Sequence, residues 1–339
     1  MKKMRRSAQK KIPDKVIHGG KKRFFEETTG SSLIDFSASL NPFPPSLPIQ
    51  IDVTRSRSYP DDTYSSLKQV IGRIFHRNPD EICVGNGSIE VIRAFCAAVL
   101  RSTDRVVIHQ PTFGEYAYSA RLMGAKCTEN PEGAAVQFIC NPNNPTGELT
   151  SKKHLLELAD QAEKDGTLLF VDEAFIELSD RTQSLAGDPH PAVVVARSLT
   201  KSFAIPGLRF GYGFGNPELI ARIEAVRLPW TVNTVAEAYA LEAFRQYDRL
   251  EESRQRIAQE RAWLFQEIRN LGVQVERSET NFLLIHLPMD AHQFADQMVR
   301  HGILIRDCTS FGLPRSIRVA VMRREENHQL IEAMRACLP

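Results

Sequence analysis

Short apolar runs alternate with helical segments from about residue 64 onwards, and this alternation constrains the fold more than any other feature of the chain. The runs are four to six residues long and rich in β-branched residues, as expected for strands buried on both faces of a sheet. They lie at 81–84, 105–109, 135–140, 168–171, 192–196 and 210–214. Helical stretches separate them, at 64–75, 89–100, 115–122, 152–164 and 217–226. This order predicts an α/β fold with a mostly parallel sheet covered by helices.

The segments on either side of this region have different patterns. A proline-rich patch at 41–48 predicts a rigid, extended connection after an N-terminal arm. A long helical stretch at 235–270 is followed by apolar runs at 282–287, 303–305 and 317–321 and by helices at 291–301 and 327–336. These later segments predict a small α+β domain. We therefore predict an arm with part of the small domain at 1–48, a large domain at 49–235, and a linking helix with the rest of the small domain at 236–339.

Composition and charge exclude several functional classes. The 339 residues carry a net charge of only +2, which gives no global electrostatic case for binding nucleic acid. No apolar run reaches the length of about 18 residues that a membrane span needs. The six cysteines are scattered without a Cys-x-x-Cys pair. We therefore expect a cytoplasmic protein with reduced cysteines and without a metal site.

The N-terminus is basic, and no apolar stretch follows it, so it lacks the pattern of a secretory signal. Its charges are Lys2, Lys3, Arg5, Arg6, Lys10 and Lys11. A charged tail of this length is usually solvated. An arm that binds a membrane or nucleic acid is the alternative interpretation.

Chemically useful residues follow the predicted strands, at the edge of an open α/β sheet where ligands bind. Residues 85–90 place glycines and a serine at the start of a helix, where backbone N–H groups can hold an anion, although such a turn is also ordinary loop chemistry. Phe113 could stack on a planar ring or lie in the core. Asn144, in a tight loop with two prolines, could donate to a phenolate oxygen. Asp172 ends an apolar strand, where a carboxylate is costly unless it has a partner.

A lysine and an arginine follow the next predicted strand. Lys201, in the run Ser-Leu-Thr-Lys, can form an imine with an aldehyde, and Arg209 can hold a phosphate. Pyridoxal phosphate carries both groups, and enzymes that use it combine a Schiff-base lysine with an acid for the pyridine nitrogen. Asp172 is the candidate acid. Together these residues predict a pyridoxal phosphate site.

Four motifs make the match more specific: Asn-Pro-Asn-Asn-Pro-Thr-Gly at 141–147, Val-Asp-Glu-Ala at 171–174, Ser-Leu-Thr-Lys at 198–201 and Gly-Leu-Arg at 207–209. With them the chain resembles the fold-type I pyridoxal-phosphate enzymes over nearly its whole length, in the branch that contains histidinol-phosphate aminotransferase. The resemblance implies a Schiff base at Lys201 and a pyridine-nitrogen partner at Asp172. It also implies further cofactor contacts: Asn144 at O3′, Phe113 on the ring, and Ser88, Ser198 and Arg209 at the phosphate, with backbone help around Gly87 and Ile89.

The resemblance also implies a homodimer. Tyr59, in Tyr59-Pro60-Asp61, is similar to a tyrosine that reaches the cofactor phosphate of the neighbouring subunit in these enzymes.

Other motifs favour a sister family, the L-threonine-O-3-phosphate decarboxylases of cobalamin biosynthesis. They are His-Gly-Gly at 18–20, Asp-Phe-Ser-Ala-Ser-Leu-Asn-Pro at 35–42, Asp-Glu-Ala-Phe at 172–175, Arg-Ser-Leu-Thr-Lys at 197–201, Ala-Ile-Pro-Gly-Leu-Arg at 204–209 and Pro-Trp-Thr-Val-Asn at 229–233. The aminotransferases usually have a tyrosine where this chain has Phe175. The decarboxylases more often have Ala-Asn-Ile-Asn-Pro where this chain has Ala-Ser-Leu-Asn-Pro at 38–42.

The sister family implies a substrate site for two anions. Arg318 is assigned to a carboxylate and Arg306 to a phosphate, because arginine suits both anions. His18 and the Gly19 backbone complete the phosphate site, and Asn41 is expected to lie nearby as a further substrate-binding residue. Each of these residues, taken alone, also fits an ordinary surface or turn position. The implied reaction converts O-phospho-L-threonine to (R)-1-aminopropan-2-ol phosphate and CO2, or O-phospho-L-serine to ethanolamine phosphate. Histidinol-phosphate aminotransferase is the second hypothesis, and a non-catalytic binding protein, which would not need Lys201, is the third.

Overall fold

The computed structural model describes residues 13–339 except 21, 31, 50, 51, 53, 55 and 56. The six charges of the basic N-terminus therefore lie outside the described residues. In chain order the elements are α1 (Lys22–Thr29), β1 (Ile34–Asp35), α2 (Ser65–Phe75), β2 (Ile82–Gly85), α3 (Ser88–Val99), β3 (Arg105–Ile108), α4 (Glu115–Met123), β4 (Lys126–Thr128), β5 (Val136–Cys140), α5 (Lys152–Asp165), β6 (Leu168–Asp172), β7 (Val193–Ser198), α6 (Leu199–Ser202), β8 (Gly211–Phe214), α7 (Pro217–Val226), α8 (Thr234–Arg245), α9 (Leu250–Asn270), β9 (Gln274–Val275), β10 (Phe282–His286), α10 (Ala291–Arg300), β11 (Ile303–Leu304), β12 (Arg306–Asp307), β13 (Ser316–Ala320) and α11 (Arg324–Cys337).

A seven-stranded sheet forms the centre of the molecule, in the order β2-β8-β7-β6-β5-β3-β4. Strands β3 to β7 pair in parallel, and β8 runs antiparallel to both of its neighbours. The predicted α/β fold with a mostly parallel sheet is confirmed. The edge strand β4 was not predicted, since its three residues, Lys-Cys-Thr, form no apolar run.

The register of the sheet brings three strand ends to one edge. Cys140 on β5 pairs with Asp172 on β6, and Asp172 pairs with Ala196 on β7. All the residues of β7 are buried, and β7 leads directly into the short helix α6, which carries Lys201. The segments that follow these strands therefore share one face of the fold, as the sequence predicts.

A second group of strands comes from the two ends of the chain. Strands β12, β13, β10 and β9 form an antiparallel sheet, and β1 pairs in parallel with β11. One hydrophobic cluster joins Phe36, which follows β1, to side chains of α9, α10 and α11 such as Leu264, Phe294 and Leu330. The N-terminal arm thus packs with the C-terminal region. The boundaries at residues 48 and 235 remain predictions.

The prediction of one helix over 235–270 is wrong, because α8 ends at Arg245 and α9 begins at Leu250. A 3-10 turn at Tyr247–Arg249 separates them. Tyr247 is buried, packs edge-on against Phe75, and its hydroxyl accepts a hydrogen bond from Arg197 at 2.9 Å. The turn between the two helices therefore places Tyr247 in the core, where it contacts Phe75 and Arg197.

The six cysteines are all free, and five of them are buried, as expected for cysteines of the core. Within the part of the chain that the structure describes, no helix is both long enough and apolar enough to span a bilayer.

Gly211 provides a test of how α3 and β8 pack. A Cβ atom on Gly211 would lie 2.2 Å from the backbone nitrogen of Ser88, whereas a Cβ atom on Gly207 would have no atom within 4 Å. We expect Gly211→Ala to lower the free energy of unfolding by about 1–3 kcal/mol. Gly207→Ala, the matched control, should change it by less than about 0.5 kcal/mol. Urea denaturation of both variants measures this; equal effects would contradict the packing described.

Candidate active site

A cavity of about 500 Å³ lies at the carboxyl ends of β5, β6 and β7. Twelve of the fifteen residues predicted for the site line it: His18, Gly19, Ser88, Ile89, Phe113, Asn144, Asp172, Ser198, Lys201, Arg209, Arg306 and Arg318. Gly87, Asn41 and Tyr59 do not.

Asp172 ends β6 with its carboxylate almost fully buried. The hydroxyl of Tyr116 donates to Oδ2 at 2.7 Å, and the backbone N–H of Ala174 donates to Oδ1 at 3.1 Å. Burial raises the pKa of Asp172 to about 6 in spite of these two hydrogen bonds. A cation brought next to this carboxylate, such as a protonated pyridine nitrogen, would therefore be bound strongly.

Lys201 faces the same cavity, with its Nζ atom 5.6 Å from the centre of the Phe175 ring. Burial, followed by the charges of Arg318 and Arg209, lowers the pKa of Lys201 to about 8. A lowered pKa leaves part of the lysine neutral near pH 7, which is the form that attacks an aldehyde. The environment of Lys201 therefore suits a Schiff base.

An anion cradle lies at the N-terminus of α3. Gly87 is the N-cap residue, no side chain caps the helix there, and the first two helical residues, Ser88 and Ile89, line the cavity. Gly87 has a φ of 77°, and a Cβ atom on it would lie 2.4 Å from Nη2 of Arg209. Only glycine permits this approach of the guanidinium to the helix end. Gly87 therefore shapes the cradle without lining the cavity.

Ser198 and Thr200 add hydroxyls at the end of β7. The Oγ of Ser198 accepts a hydrogen bond from the Thr200 backbone at 3.3 Å. The Oγ1 of Thr200 is buried and has no partner among the described residues, although Thr200 lines the cavity. Together with Ser88 and Arg209, these groups form a donor set of the kind that holds a phosphate.

Arg318, on β13, contacts the loop that contains Asn144. Its Nη1 donates to Oδ1 of Asn144, and its Nη2 donates to the carbonyl of Ser37 at 3.1 Å. Because Oδ1 of Asn144 accepts from the arginine, the amide N–H groups of Asn144 remain available as donors. This orientation agrees with the predicted contact between Asn144 and a phenolate oxygen.

Arg306 lies on β12, beside the N-terminal segment. Its Nη2 donates to the carbonyl of Ile17 at 2.7 Å and to Oγ of Ser310 at 2.6 Å. The neighbouring His18 contacts Oε1 of Glu115 through Nε2 at 2.9 Å and lies 5.9 Å from the Phe113 ring. The residues predicted to bind the substrate phosphate, Arg306 and His18, are thus brought to one side of the cavity.

Two predicted residues lie elsewhere. Asn41 is buried and its amide serves the backbone: Nδ2 donates to the carbonyl of Ser202 at 2.7 Å, and Oδ1 accepts from Phe43 at 2.8 Å. This geometry gives Asn41 a role in holding the segment of Lys201, and its contact with a substrate stays a prediction. Tyr59 is 79% exposed and stacks on Trp230.

Sequence reasoning missed several residues of the site. Tyr116 and Glu115 lie in the first turn of α4, while Asp35, Ser37 and Ser310 come from short segments next to the small sheets. The position of Phe113 just before α4 could have indicated Glu115 and Tyr116, because the first turn of α4 lies at the same edge of the sheet. The sequence contains no comparable signal for Ser310.

Comparison with known proteins agrees with this geometry. Residues 49–334 match the family described as aminotransferase class I and II. The chain belongs to this family. A histidinol-phosphate aminotransferase of Symbiobacterium thermophilum is 32% identical over 330 residues, which are 90% of this chain and 91% of the relative. A protein of Caldanaerobacter subterraneus subsp. tengcongensis, provisionally named threonine-phosphate decarboxylase, is 33% identical over 312 residues, 84% of each chain.

Solved structures show the same fold. The histidinol-phosphate aminotransferase of Sinorhizobium meliloti, solved in complex with pyridoxal 5'-phosphate, superposes with a TM-score of 0.86 over 98% of both chains, at 23% identity. The donor set of this aminotransferase-family chain fits that cofactor. Asp172 would hold its ring nitrogen, Asn144 its phenolate oxygen, Lys201 its aldehyde, and the cradle at α3 its phosphate.

The buried carboxylate of Asp172 should destabilise the cofactor-free protein. Because the pKa of Asp172 is raised from its ordinary 3.8 to about 6, the folded state binds more protons in that window, and stability falls as pH rises through it. We expect Asp172→Asn to raise the free energy of unfolding at pH 8 by about 1–3 kcal/mol. Urea denaturation without cofactor should show this gain at pH 8 and its loss below pH 4. A variant that is less stable than the parent at both values would contradict the assignment.

Lys201 should be the point of covalent attachment. After incubation with pyridoxal phosphate and reduction by borohydride, peptide mass mapping should locate the reduced adduct on Lys201. Lys68, whose amine contacts Glu224 at 3.4 Å, serves as the internal control and should stay unmodified. Lys201→Ala should lose both the adduct and turnover. An adduct elsewhere, with Lys201 free, would overturn the role of Lys201.

Proposed function

We propose that this protein is a pyridoxal-phosphate-dependent decarboxylase that converts O-phospho-L-threonine to (R)-1-aminopropan-2-ol phosphate and CO2, a step in the synthesis of the cobalamin side chain. Its cofactor is pyridoxal phosphate. O-phospho-L-serine, which would give ethanolamine phosphate, differs by one methyl group, and a methyl group in a pocket is worth only about 1–3 kcal/mol.

One observation carries this proposal. Arg306 and Arg318 are directly opposite each other in the pairing of β12 with β13, and each is less than 10% exposed. Their side chains lie on the same face of the sheet, where two like charges repel each other. The hydrogen bonds described above for both arginines go to neutral oxygen atoms. A ligand with two anionic groups close together would relieve this repulsion.

O-phospho-L-threonine has this arrangement, because its carboxylate and its phosphate ester are attached to adjacent carbon atoms. Arg318 is the anchor for the carboxylate. Arg306, with His18 and the Gly19 backbone, is the anchor for the phosphate. The Nε of Arg318 is buried without a partner among the described residues, which leaves it free to donate. Binding energy from the phosphate end can thereby orient the carboxylate end.

Pyridoxal phosphate, held by Lys201, Asp172 and Arg209, would supply a sink for the electron pair left by the bond that breaks at Cα. The protein decides which bond this is, because it sets the orientation of the substrate. Arg318 and Arg306 hold the substrate at two points and thus place the carboxylate for loss. Lys201, with its pKa lowered to about 8, can hold and deliver a proton at Nζ to the carbon that CO2 has left.

Phe175 supports decarboxylation over amino transfer. It is buried beside Lys201 and presents a phenyl ring without a hydroxyl. The resembled aminotransferases usually have a tyrosine there that donates to the phenolate oxygen. In this chain Asn144 is the residue that we propose as the donor to that oxygen.

Amino transfer from histidinol phosphate is the second candidate, and one finding favours it. The aminotransferase relative of Symbiobacterium thermophilum covers 90% of this chain at 32% identity. In this interpretation Arg306 would bind the phosphate of histidinol phosphate, and Arg318 the carboxylate of 2-oxoglutarate.

We also propose that the protein acts as a homodimer. Tyr59 and Trp230 stack with ring centres 4.4 Å apart and are both exposed, as is the nearby Leu228. An exposed cluster of this kind fits a subunit interface, from which Tyr59 would reach the neighbouring cofactor phosphate.

The two reactions give different products from different substrates. We expect the purified holoenzyme to release CO2 from O-phospho-L-threonine, with the amine product identified by NMR, and to transfer no amino group from histidinol phosphate to 2-oxoglutarate. Lys201→Ala is the control for cofactor-dependent turnover. Amino transfer without CO2 release would reverse the ranking of the two functions.

A further inference from the structure

We propose that Glu115 is a positioning residue that holds His18 at the cavity and thereby sets the selectivity of this enzyme for phosphorylated substrates. The proposal rests on the proposed function in one respect: the substrate carries a phosphate. It concerns residues 16–20, which we call the strap, and the carboxylate on which the strap is fixed.

The strap has neither helix nor strand, and contacts with three other segments hold it in place. Arg306 donates to the carbonyl of Ile17 at 2.7 Å. The backbone N–H of Gly20 donates to Oγ of Ser37 at 3.0 Å. A Cβ atom on Gly114 would lie 3.1 Å from Cγ1 of Val16, so the strap packs directly against the start of α4. The position of the strap is therefore determined by tertiary contacts alone.

Glu115 provides the charged contact of the strap. It is only 3% exposed, at the first residue of α4, where the helix dipole favours a negative charge. Oε1 contacts Nε2 of His18 at 2.9 Å, and Oε2 accepts from Nη2 of Arg93 at 3.2 Å. Hydrogen bonds from His18 and Arg93 lower the pKa of Glu115 against the effect of burial. Since Arg93 occupies one oxygen, the other is held in place for His18.

This contact determines what His18 can offer to a ligand. A carboxylate accepts only, so Nε2 of His18 must carry a proton. Nδ1 has no partner among the described residues, and the side chain is 44% exposed along the cavity. Against a phosphate, Nδ1 must also donate, which requires the imidazolium form. A phosphate placed beside Nδ1 and Arg306 would complete the network of contacts around the His18 ring.

Several charged groups face His18, since Asp172, Lys201, Arg209 and Arg318 line the same cavity. Glu115 and Arg93 lie on the side of α3 and α4, Arg306 lies on β12, and Asp35 lines the same cavity from the end of β1. Glu115 is the carboxylate in direct contact with the ring.

The test is the conservative variant Glu115→Gln, which keeps the shape and loses the charge. Rapid mixing with the holoenzyme, followed by the cofactor's absorption band in the fast phase that precedes CO2 release, measures the dissociation constants of O-phospho-L-threonine and L-threonine. We expect the constant for the phosphorylated ligand to rise roughly tenfold, as for loss of one charge-assisted hydrogen bond, and that for L-threonine to change less than about twofold.

Two further variants separate positioning from a general structural effect. Glu157→Gln is the matched control, since Glu157 also contacts a histidine, His154 at 3.4 Å, on the exposed face of α5; it should change neither constant. His18→Gln should weaken binding of the phosphorylated ligand, and adding Glu115→Gln to it should have no further effect, because both act through one contact.

Equal weakening of both ligands by Glu115→Gln, or no weakening of the phosphorylated one, would overturn the role of Glu115. Additive effects of the two substitutions would do the same. The outcome is distinguishable from failure of the proposed function, since binding is read without turnover. A parent enzyme that binds phosphorylated ligands yet releases no CO2 would contradict decarboxylation alone.

Discussion

The site depends on keeping an acid and an amine away from water at the ends of adjacent strands. Burial shifts the pKa of Asp172 up to about 6 and that of Lys201 down to about 8, so both groups are less charged than they would be in solution. Neither environment is favourable to the protein alone. A ligand with a cationic ring nitrogen and an aldehyde would stabilise both groups. The ring nitrogen would give the Asp172 carboxylate a counter-charge, and the aldehyde would react with the neutral amine of Lys201. The parallel register of β5, β6 and β7 brings the two groups into one cavity.

A second unfavourable arrangement lies across the cavity, in the small sheet. Arg306 and Arg318 face the same side of the β12–β13 pair, and burial lowers the pKa of each guanidinium. The strap and the Asn144 loop surround them with neutral acceptors, which satisfy hydrogen bonds but not charge. The strand ends of the large sheet thus present a buried acid and a buried amine to a cofactor, and the small sheet presents two buried guanidinium groups to anions. The two sets of groups line the same cavity, in which Lys201 also lies.

Much of this was predictable from the sequence, for a physical reason. Strands such as Leu168–Asp172 are buried on both faces and are therefore continuous apolar runs, and the polar residue that ends such a run must have a partner. The break at Tyr247 was not predictable, because it depends on a contact with Arg197, 50 residues away in the chain. Glu115 and Tyr116 were missed because a polar residue in the first turn of a helix is ordinary unless its neighbours in space are known. Asn41 was assigned to a ligand, yet its amide bridges two backbone segments.

The difference between positions in the large sheet and single contacts at the cavity explains why relatives named for two different activities match this chain at similar identity, 32% and 33%. The residues proposed to hold pyridoxal phosphate follow the strands of the large sheet, and either activity would need them. The residues that would choose between substrates come from the strap, from β12 and β13, and from Phe175, and each of them acts through one or two atoms. Overall identity averages over hundreds of positions and is insensitive to these few. The choice of reaction therefore depends on the ring of Phe175 and on the segment of His18, since Arg306 and Arg318 could bind the anions of either substrate.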